Sequence, residues 1–311
     1  MAEINLPSTP LDAYEMGTGA WAWGDQLVWG YGKSYRDEDV RAAFEASLAH
    51  GITLFDTAEM YGFGKSEKLI GAFRDAKRPI FIATKFFPLP WRVTKAQFRA
   101  ALRGSLRRLG VRQIDLYQIH FPVPVAPEER WADALADALD LGLIRMAGVS
   151  NYNREQTIRS HYTLARRGYQ LASNQMEYSL IERKIERDGT LDACRERGIK
   201  VIAYSPLGMG LLTGKYSVEN PPPGVRGRQY RSLLPKLPPL IDALKRIGAA
   251  HEGKTPAQVA LNWTICKGTL PIPGAKSAGQ VAANAGALGW RLTDDEVAEL
   301  DEVSGKIHAR L

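Results

Sequence analysis

Short apolar runs alternate with helical stretches along almost all of this 311-residue chain, and no shift in composition marks a boundary. Compact apolar runs read as buried strands, while apolar residues three or four apart read as helices laying one face on a sheet. Strands are expected at 14–17, 52–56, 80–84, 116–120, 144–149, 171–175, 200–204 and 270–273. Helices are expected between them at 37–50, 65–73, 94–109, 127–141, 154–167 and 189–197, and later at 237–251, 256–266, 278–287 and 293–303. Val40, Phe44 and Leu48 share one face of the first helix, and Gly51 and Gly110 stand where C-caps belong. Eight strands, each followed by helix, argue for an α/β fold: a single (β/α)8 TIM barrel over residues 1–311, with C-terminal helices and a long loop, 206–235, after the seventh strand. A doubly wound sheet is the alternative. Against it, Gly17-Thr18-Gly19 and Gly62-Phe63-Gly64 both lack the third glycine of a dinucleotide fingerprint.

A hydrophobic fraction of 45% and a charged fraction of 24% belong to a globular protein, not a disordered one. No apolar run approaches the roughly 18 residues of a membrane span, and residues 1–7 lack the basic and apolar regions of a leader, so a cytoplasmic location is expected. Cys194 and Cys266 make neither a disulfide framework nor a metal motif, and His50, His161, His251 and His308 lack ligand spacing. The net charge of +7 is spread along the chain. Its densest group, Arg103, Arg107, Arg108 and Arg112, reads as a solvated helix face, since no aromatic residues interleave it for nucleic-acid stacking.

Chemistry-bearing residues fall at the strand ends. Asp56 closes the second strand and Tyr61 follows five residues on; Lys85 closes the third and His120 the fourth. That rim is where barrel enzymes keep their active residues. A phenol is a poor acid near neutrality, so Lys85, held protonated by Asp56, is expected to lower the Tyr61 pKa. His120 is expected to orient the same substrate oxygen. Taken singly, a turn cap, a solvated lysine, a surface ring and a core histidine are the simpler readings; four such accidents at neighbouring strand ends are not. Trp21, Trp23, Trp29, Phe86, Phe87, Trp91 and Phe121 suggest an apolar pocket beside them.

The stretches 56–62 (DTAEMYG), 116–120 (LYQIH), 148–152 (GVSNY), 204–207 (YSPL) and 272–274 (IPG), together with Lys85, Asn174 and Gln175, resemble the aldo-keto reductases over nearly the whole chain. The resemblance implies an NADP(H)-dependent oxidoreductase in which Tyr61 is the general acid, Asp56 and Lys85 tune it and His120 orients the carbonyl. It implies that Ser150, Asn151 and Gln175 hold the nicotinamide carboxamide and that the ring stacks on Tyr204. Leu207, Gly208, Gly210, Leu211, Thr213, Gly214 and Lys215 match the pyrophosphate loop, and Lys276, Gln280 and Asn284 the 2′-phosphate and adenine segment. Gly19, Ala20, Trp21, Ser205, Pro206 and Gly274 complete the cofactor-binding set. The sequence departs from the family at Ala283, where many members carry a glutamate for the adenine edge.

The expected partner is a small aldehyde or ketone, with neither nucleic acid nor membrane. Because relatives of this family serve as β-subunits of potassium channels, a cofactor-holding regulatory subunit is the alternative. A barrel lyase or isomerase acting on sugar phosphates has only the fold in its favour.

Overall fold

The computed structural model describes residues 10–308, so residues 1–7 lie outside it. Its strands are β1 (Thr18–Gly19), β2 (Leu54–Asp56), β3 (Phe81–Phe86), β4 (Ile114–Ile119), β5 (Ile144–Ser150), β6 (Leu171–Glu177), β7 (Lys200–Tyr204) and β8 (Leu270–Pro271). They pair in parallel in chain order. The sheet then closes on itself: the Gly17 and Gly19 amides donate to the Pro271 and Pro273 carbonyls at 3.0 and 3.1 Å, and Gly19 bridges Gly274.

Around this barrel lie α1 (Asp37–Ala49), α2 (Lys65–Phe73), α3 (Lys95–Leu109), α4 (Glu128–Asp140), α5 (Arg154–Ala165), the short α6 (Lys184–Arg187) and α7 (Thr190–Arg195). After β7 come α8 (Val225–Gln229), α9 (Pro238–Ala250) and α10 (Pro256–Cys266), and after β8 come α11 (Ala278–Ala285) and α12 (Asp294–His308). Local chemistry sets several boundaries. Thr94, Asn153 and Thr255 each accept the amide three residues on, and the glutamine there reaches back, satisfying orphan donors at the starts of α3, α5 and α10. Gly110, at φ +65°, ends α3 in the left-handed region that glycine enters without strain.

Two apolar layers follow from the alternation of side chains along each strand. Leu54, Phe81, Ala83, Leu116, Ile202 and Leu270 fill the barrel, while Phe44 of α1 stacks on Phe55 of β2 at 4.7 Å in the outer layer. The inner cluster includes Leu11, fully buried, from the 3-10 turn Pro10–Ala13. Asp12 of that turn meets Lys200, the first residue of β7, at 3.3 Å. The turn therefore stops the end of the barrel opposite the strands' carboxyl rim.

Several elements differ from the sequence reading. The first strand lies at Thr18–Gly19, not 14–17, because the register with β2 pairs only Thr18 with Phe55 and Gly19 with Asp56. Lys85 lies inside β3, not at its end. The long loop over 206–235 carries two 3-10 turns, Gly208–Thr213 and Leu234–Lys236, besides α8. Arg108 is not on a solvated face: its Nε donates at 2.6 Å to Glu67, a fully buried carboxylate that also accepts from Thr84.

Candidate active site

Asp56 pairs in register with Ala83 on β3, which lies in the barrel interior, so Lys85, two residues on, points inward toward the same end. Its Nζ lies 2.5 Å from Asp56 Oδ1, donates to the Thr57 carbonyl at 2.9 Å and stands 3.4 Å from the Tyr61 hydroxyl. Lysine and aspartate are 0% and 2% exposed, so the pair is isolated from water. Sequence reasoning missed the layer that supports it. Gln118 is in register with Lys85, and its Nε2 lies 3.4 Å from Asp56 Oδ2; Gln175 Nε2 donates to the same oxygen at 2.8 Å; Ser173 Oγ lies 3.4 Å from Gln118 Oε1. Gly148 leaves room for this layer, since a Cβ there would stand 2.4 Å from Ser173 Oγ and 2.8 Å from Gln118 Cγ. Gln118 and Ser173 carried no signal in the sequence beyond being polar within apolar strands.

Tyr61 and His120 meet edge to face, with ring centroids 5.8 Å apart. Burial, and then the charge of Asp56, push the Tyr61 phenol well above its ordinary pKa. This corrects the expectation of a lowered value: the lysine charge is already paired with Asp56, and a buried phenolate loses its hydration. Burial likewise pulls Lys85 down, against the opposing pull of Asp56. His120 falls to about 2, through burial first and the Lys85 charge second, so its imidazole is neutral at any working pH. His120 Nδ1 is sealed in without a partner, which leaves Nε2 as the nitrogen able to face a substrate.

The aromatic set divides. Trp23 is fully buried and donates to the Ala275 carbonyl at 2.8 Å, and Phe86 is core against Phe98 and Trp131. Trp91 is 69% exposed and has no ring partner among the described residues. Trp21 lies 6.3 Å from Tyr61, Phe87 lies edge-on to His120 at 5.4 Å, and Phe121 stacks on it at 4.7 Å. Glu59, which the sequence reading passed over, accepts from the Phe87 amide at 2.7 Å and from Arg92 at 2.9 Å, fixing one wall of this pocket.

Beside the pocket runs a second set of groups. Asn151, at φ +61°, donates to the His120 carbonyl and lies 3.0 Å from Ser150 Oγ; it accepts from the Tyr204 hydroxyl at 2.9 Å. Its amide and Ser150 Oγ both donate to the Gln175 carbonyl at 2.9 Å. The ends of β4, β5, β6 and β7 are thereby tied together. Ser205 follows at φ +50°, Pro206 is buried, and Leu207 leads into the turn. In that turn Gly208, Gly210 and Gly214 have φ of +54°, +95° and +76°; Thr213 Oγ1 donates to the Gly210 carbonyl, and Leu211 faces the core. A Cβ on Gly208 would stand 2.3 Å from Ile181, and one on Gly19 would stand 2.7 Å from the Ile272 carbonyl. The Ala20 amide donates to the Asp56 carbonyl at 2.8 Å, setting Trp21 beside the pair.

Across the turn, Lys276 is half-buried, and its pKa is lowered by burial and then by the charges of Arg226 and Lys215. None of these three cations has an ion-pair partner among the described residues, whereas Arg154 and Arg159 of α5 and Arg195 of α7 do. A cluster of mutually repelling, unpaired cations beside a glycine turn and the start of α11 fits a phosphorylated ligand such as NADP(H). Gln280 Oε1 accepts from the Lys276 amide at 2.7 Å, and Asn284 is buried one turn further on.

The chain belongs to the aldo/keto reductase family, a family of oxidoreductases, whose model matches residues 15–304. It is 45% identical over 307 residues to the chloroplastic pyridoxal reductase of Arabidopsis thaliana, covering 94% of this chain and 83% of that one. The glycerol dehydrogenase of Gluconobacter oxydans superposes with a TM-score of 0.82 at 30% identity, covering 97% of this chain and 93% of the other. An aldo-keto reductase of Klebsiella pneumoniae, solved in complex with NADPH, superposes at 0.74 with 30% identity, covering 93% and 90%. Among the described residues no helix is long and apolar enough to cross a membrane.

Proposed function

We propose that this protein reduces an aldehyde with NADPH and that its substrate is a planar heteroaromatic aldehyde of the pyridoxal type. The observation that carries the reading is the meeting of the Tyr61 hydroxyl, the Lys85–Asp56 pair and a neutral His120 at one pocket. Bound NADPH supplies the hydride. The rest is the work of the chain. His120 Nε2–H donates to the carbonyl oxygen, and a neutral donor there does not repel Lys85. Tyr61, kept protonated by its raised pKa, gives its proton to the developing alkoxide, which is a stronger base than a phenolate. The Lys85 ammonium, 3.4 Å away, then stabilises the phenolate left behind. Ser150, Asn151, Gln175 and Tyr204 are assigned to the nicotinamide; Gly19, Ala20, Trp21, Ser205, Pro206, Leu207 and the 208–215 turn to the ribose and pyrophosphate; and Gly274, Lys276, Gln280 and Asn284 to the adenosine 2′-phosphate end. The single-domain assignment over 1–311 belongs to the same proposal and rests on the unbroken strand order.

The substrate class rests on the ring faces of Trp21, Phe87 and Phe121 and on the name borne by the Arabidopsis relative. Nicotinamide absorbance with pyridoxal and with a short aliphatic aldehyde of equal concentration tests it. Pyridoxal is expected to give the higher kcat/KM with NADPH; a preference for the aliphatic aldehyde overturns the substrate class, and no carbonyl reduction at all overturns the function.

A further inference from the structure

Trp29, expected from the sequence among the aromatics of the apolar pocket, packs instead against two cations where three parts of the cleft meet. Lys276 Nζ lies 4.7 Å from the centre of its ring and 3.4 Å from its carbonyl oxygen. The Arg226 guanidinium carbon lies 5.3 Å from the same ring, while its Nη1 donates to the Met209 carbonyl at 3.2 Å, within the glycine turn. Tyr35, from the same loop as Trp29, gives Lys276 a second ring face at 4.8 Å. Trp29 also meets Trp21 edge to face at 5.4 Å. Asp25, the nearby acid of this loop, makes no ion pair with either cation among the described residues; its Oδ1 accepts from the Val28 amide at 2.7 Å and lies 3.4 Å from that of Trp29. Two like charges thus meet one indole, neither ion-paired among the described residues.

We infer that Trp29 is a positioning residue for the 2′-phosphate of the cofactor, its indole face holding Lys276 and Arg226 together so that both point at one anion. The argument is electrostatic. Left alone, two cations repel and would swing to separate solvent positions; a ring quadrupole attracts both, and the ring takes up none of their N–H donors. Apart from the Arg226 Nη1 bond to Met209 and the long Lys276 contact with the Trp29 carbonyl, the donors stay free for phosphate oxygens, and the ordering of two long side chains is complete before the ligand arrives. An aromatic face is essential to this role; apolar bulk alone is not enough.

This inference rests on the assignment of Lys276 to the 2′-phosphate, so the experiment tests both. Binding of NADPH, NADH, adenosine 2′,5′-bisphosphate and adenosine 5′-monophosphate is measured for the full chain and for Lys276→Ala, Trp29→Leu and Trp29→Phe. Trp29→Leu is expected to weaken NADPH and the 2′,5′-bisphosphate by about three- to thirtyfold, the span of one to two cation–π contacts. NADH and the monophosphate should be nearly unaffected, kcat at saturating NADPH unchanged, and Trp29→Phe close to wild type. If Lys276→Ala loses NADPH selectivity but Trp29→Leu does not, or if Trp29→Leu loses NADPH and NADH equally, the role of Trp29 is wrong and the phosphate site stands. Tighter NADPH binding in Trp29→Leu also overturns it, since the indole would then be competing for the cations. If Lys276→Ala leaves NADPH and NADH affinities unchanged, the phosphate site itself is misplaced and the inference falls with it.

Discussion

Lys85 Nζ stands 2.5 Å from Asp56 Oδ1 at a depth where neither group touches water, and the Tyr61 hydroxyl lies 3.4 Å beyond. Each charge exists there only because the other does. Gln118, Gln175 and the Thr57 carbonyl occupy most of the remaining hydrogen-bonding directions, which is what a buried pair needs to be tolerated.

Removing one partner is therefore expected to be worse than removing both. Lys85→Met or Asp56→Asn alone should destabilise the protein by about 3–5 kcal/mol, and the double variant by much less than the sum. Urea unfolding of the three variants measures this, and strict additivity would show that the two charges are not coupled.

His120 has its ordinary value near 6.5 when unfolded and about 2 when folded. Between those values the unfolded chain binds a proton that the native chain refuses, so stability is full above about 6.5 and is lost as the pH falls toward 2. His161, also lowered by burial and then by the charge of Arg197, loses stability in the same direction as the pH falls, so the comparison must be between variants. Melting temperature against pH should fall less steeply below 6.5 in His120→Gln than in the wild type, and parallel curves would contradict a buried neutral imidazole.

How much of this was legible beforehand depended on whether the signal was local. The helices at Lys65–Phe73 and Pro256–Cys266 match their sequence boundaries because face periodicity, Pro256 and the Thr255–Gln258 box all act within one or two turns. Asp56, Tyr61, Lys85 and His120 were readable as a set because strand ends of a parallel barrel share one rim. The first strand was not, since a two-residue strand is defined by its partners, and Tyr14–Gly17 offered a better apolar run than Thr18–Gly19. The same limit hid Gln118, Ser173 and Glu67, whose partners lie on other strands or helices. It also produced the wrong sign for Tyr61: the residue types show a lysine, paired with Asp56, near a phenol, but only the fold shows the phenol buried deeply enough for lost hydration to outweigh that lysine.

Gly148 carries a prediction that no single-position property suggests. Its missing Cβ is the space in which Ser173 and Gln118 meet beneath Asp56. Gly148→Ala should cost about 1–3 kcal/mol in stability through overpacking and should lower kcat as the polar layer shifts. Adding Ser173→Ala, which removes the nearest atom, should recover part of both. No recovery of either in the double variant would place the damage elsewhere.

The Tyr61 hydroxyl is proposed as the proton donor, and Tyr61→Phe isolates that one oxygen. Turnover of a carbonyl substrate with NADPH should fall by roughly 10²–10⁴-fold, the usual worth of general acid catalysis. NADPH affinity, measured by titration on the same preparation, should be unchanged, because the hydroxyl's partner in the structure is Lys85 and not the cofactor cleft. A Tyr61→Phe variant that binds NADPH normally and turns over at the wild-type rate would contradict the account.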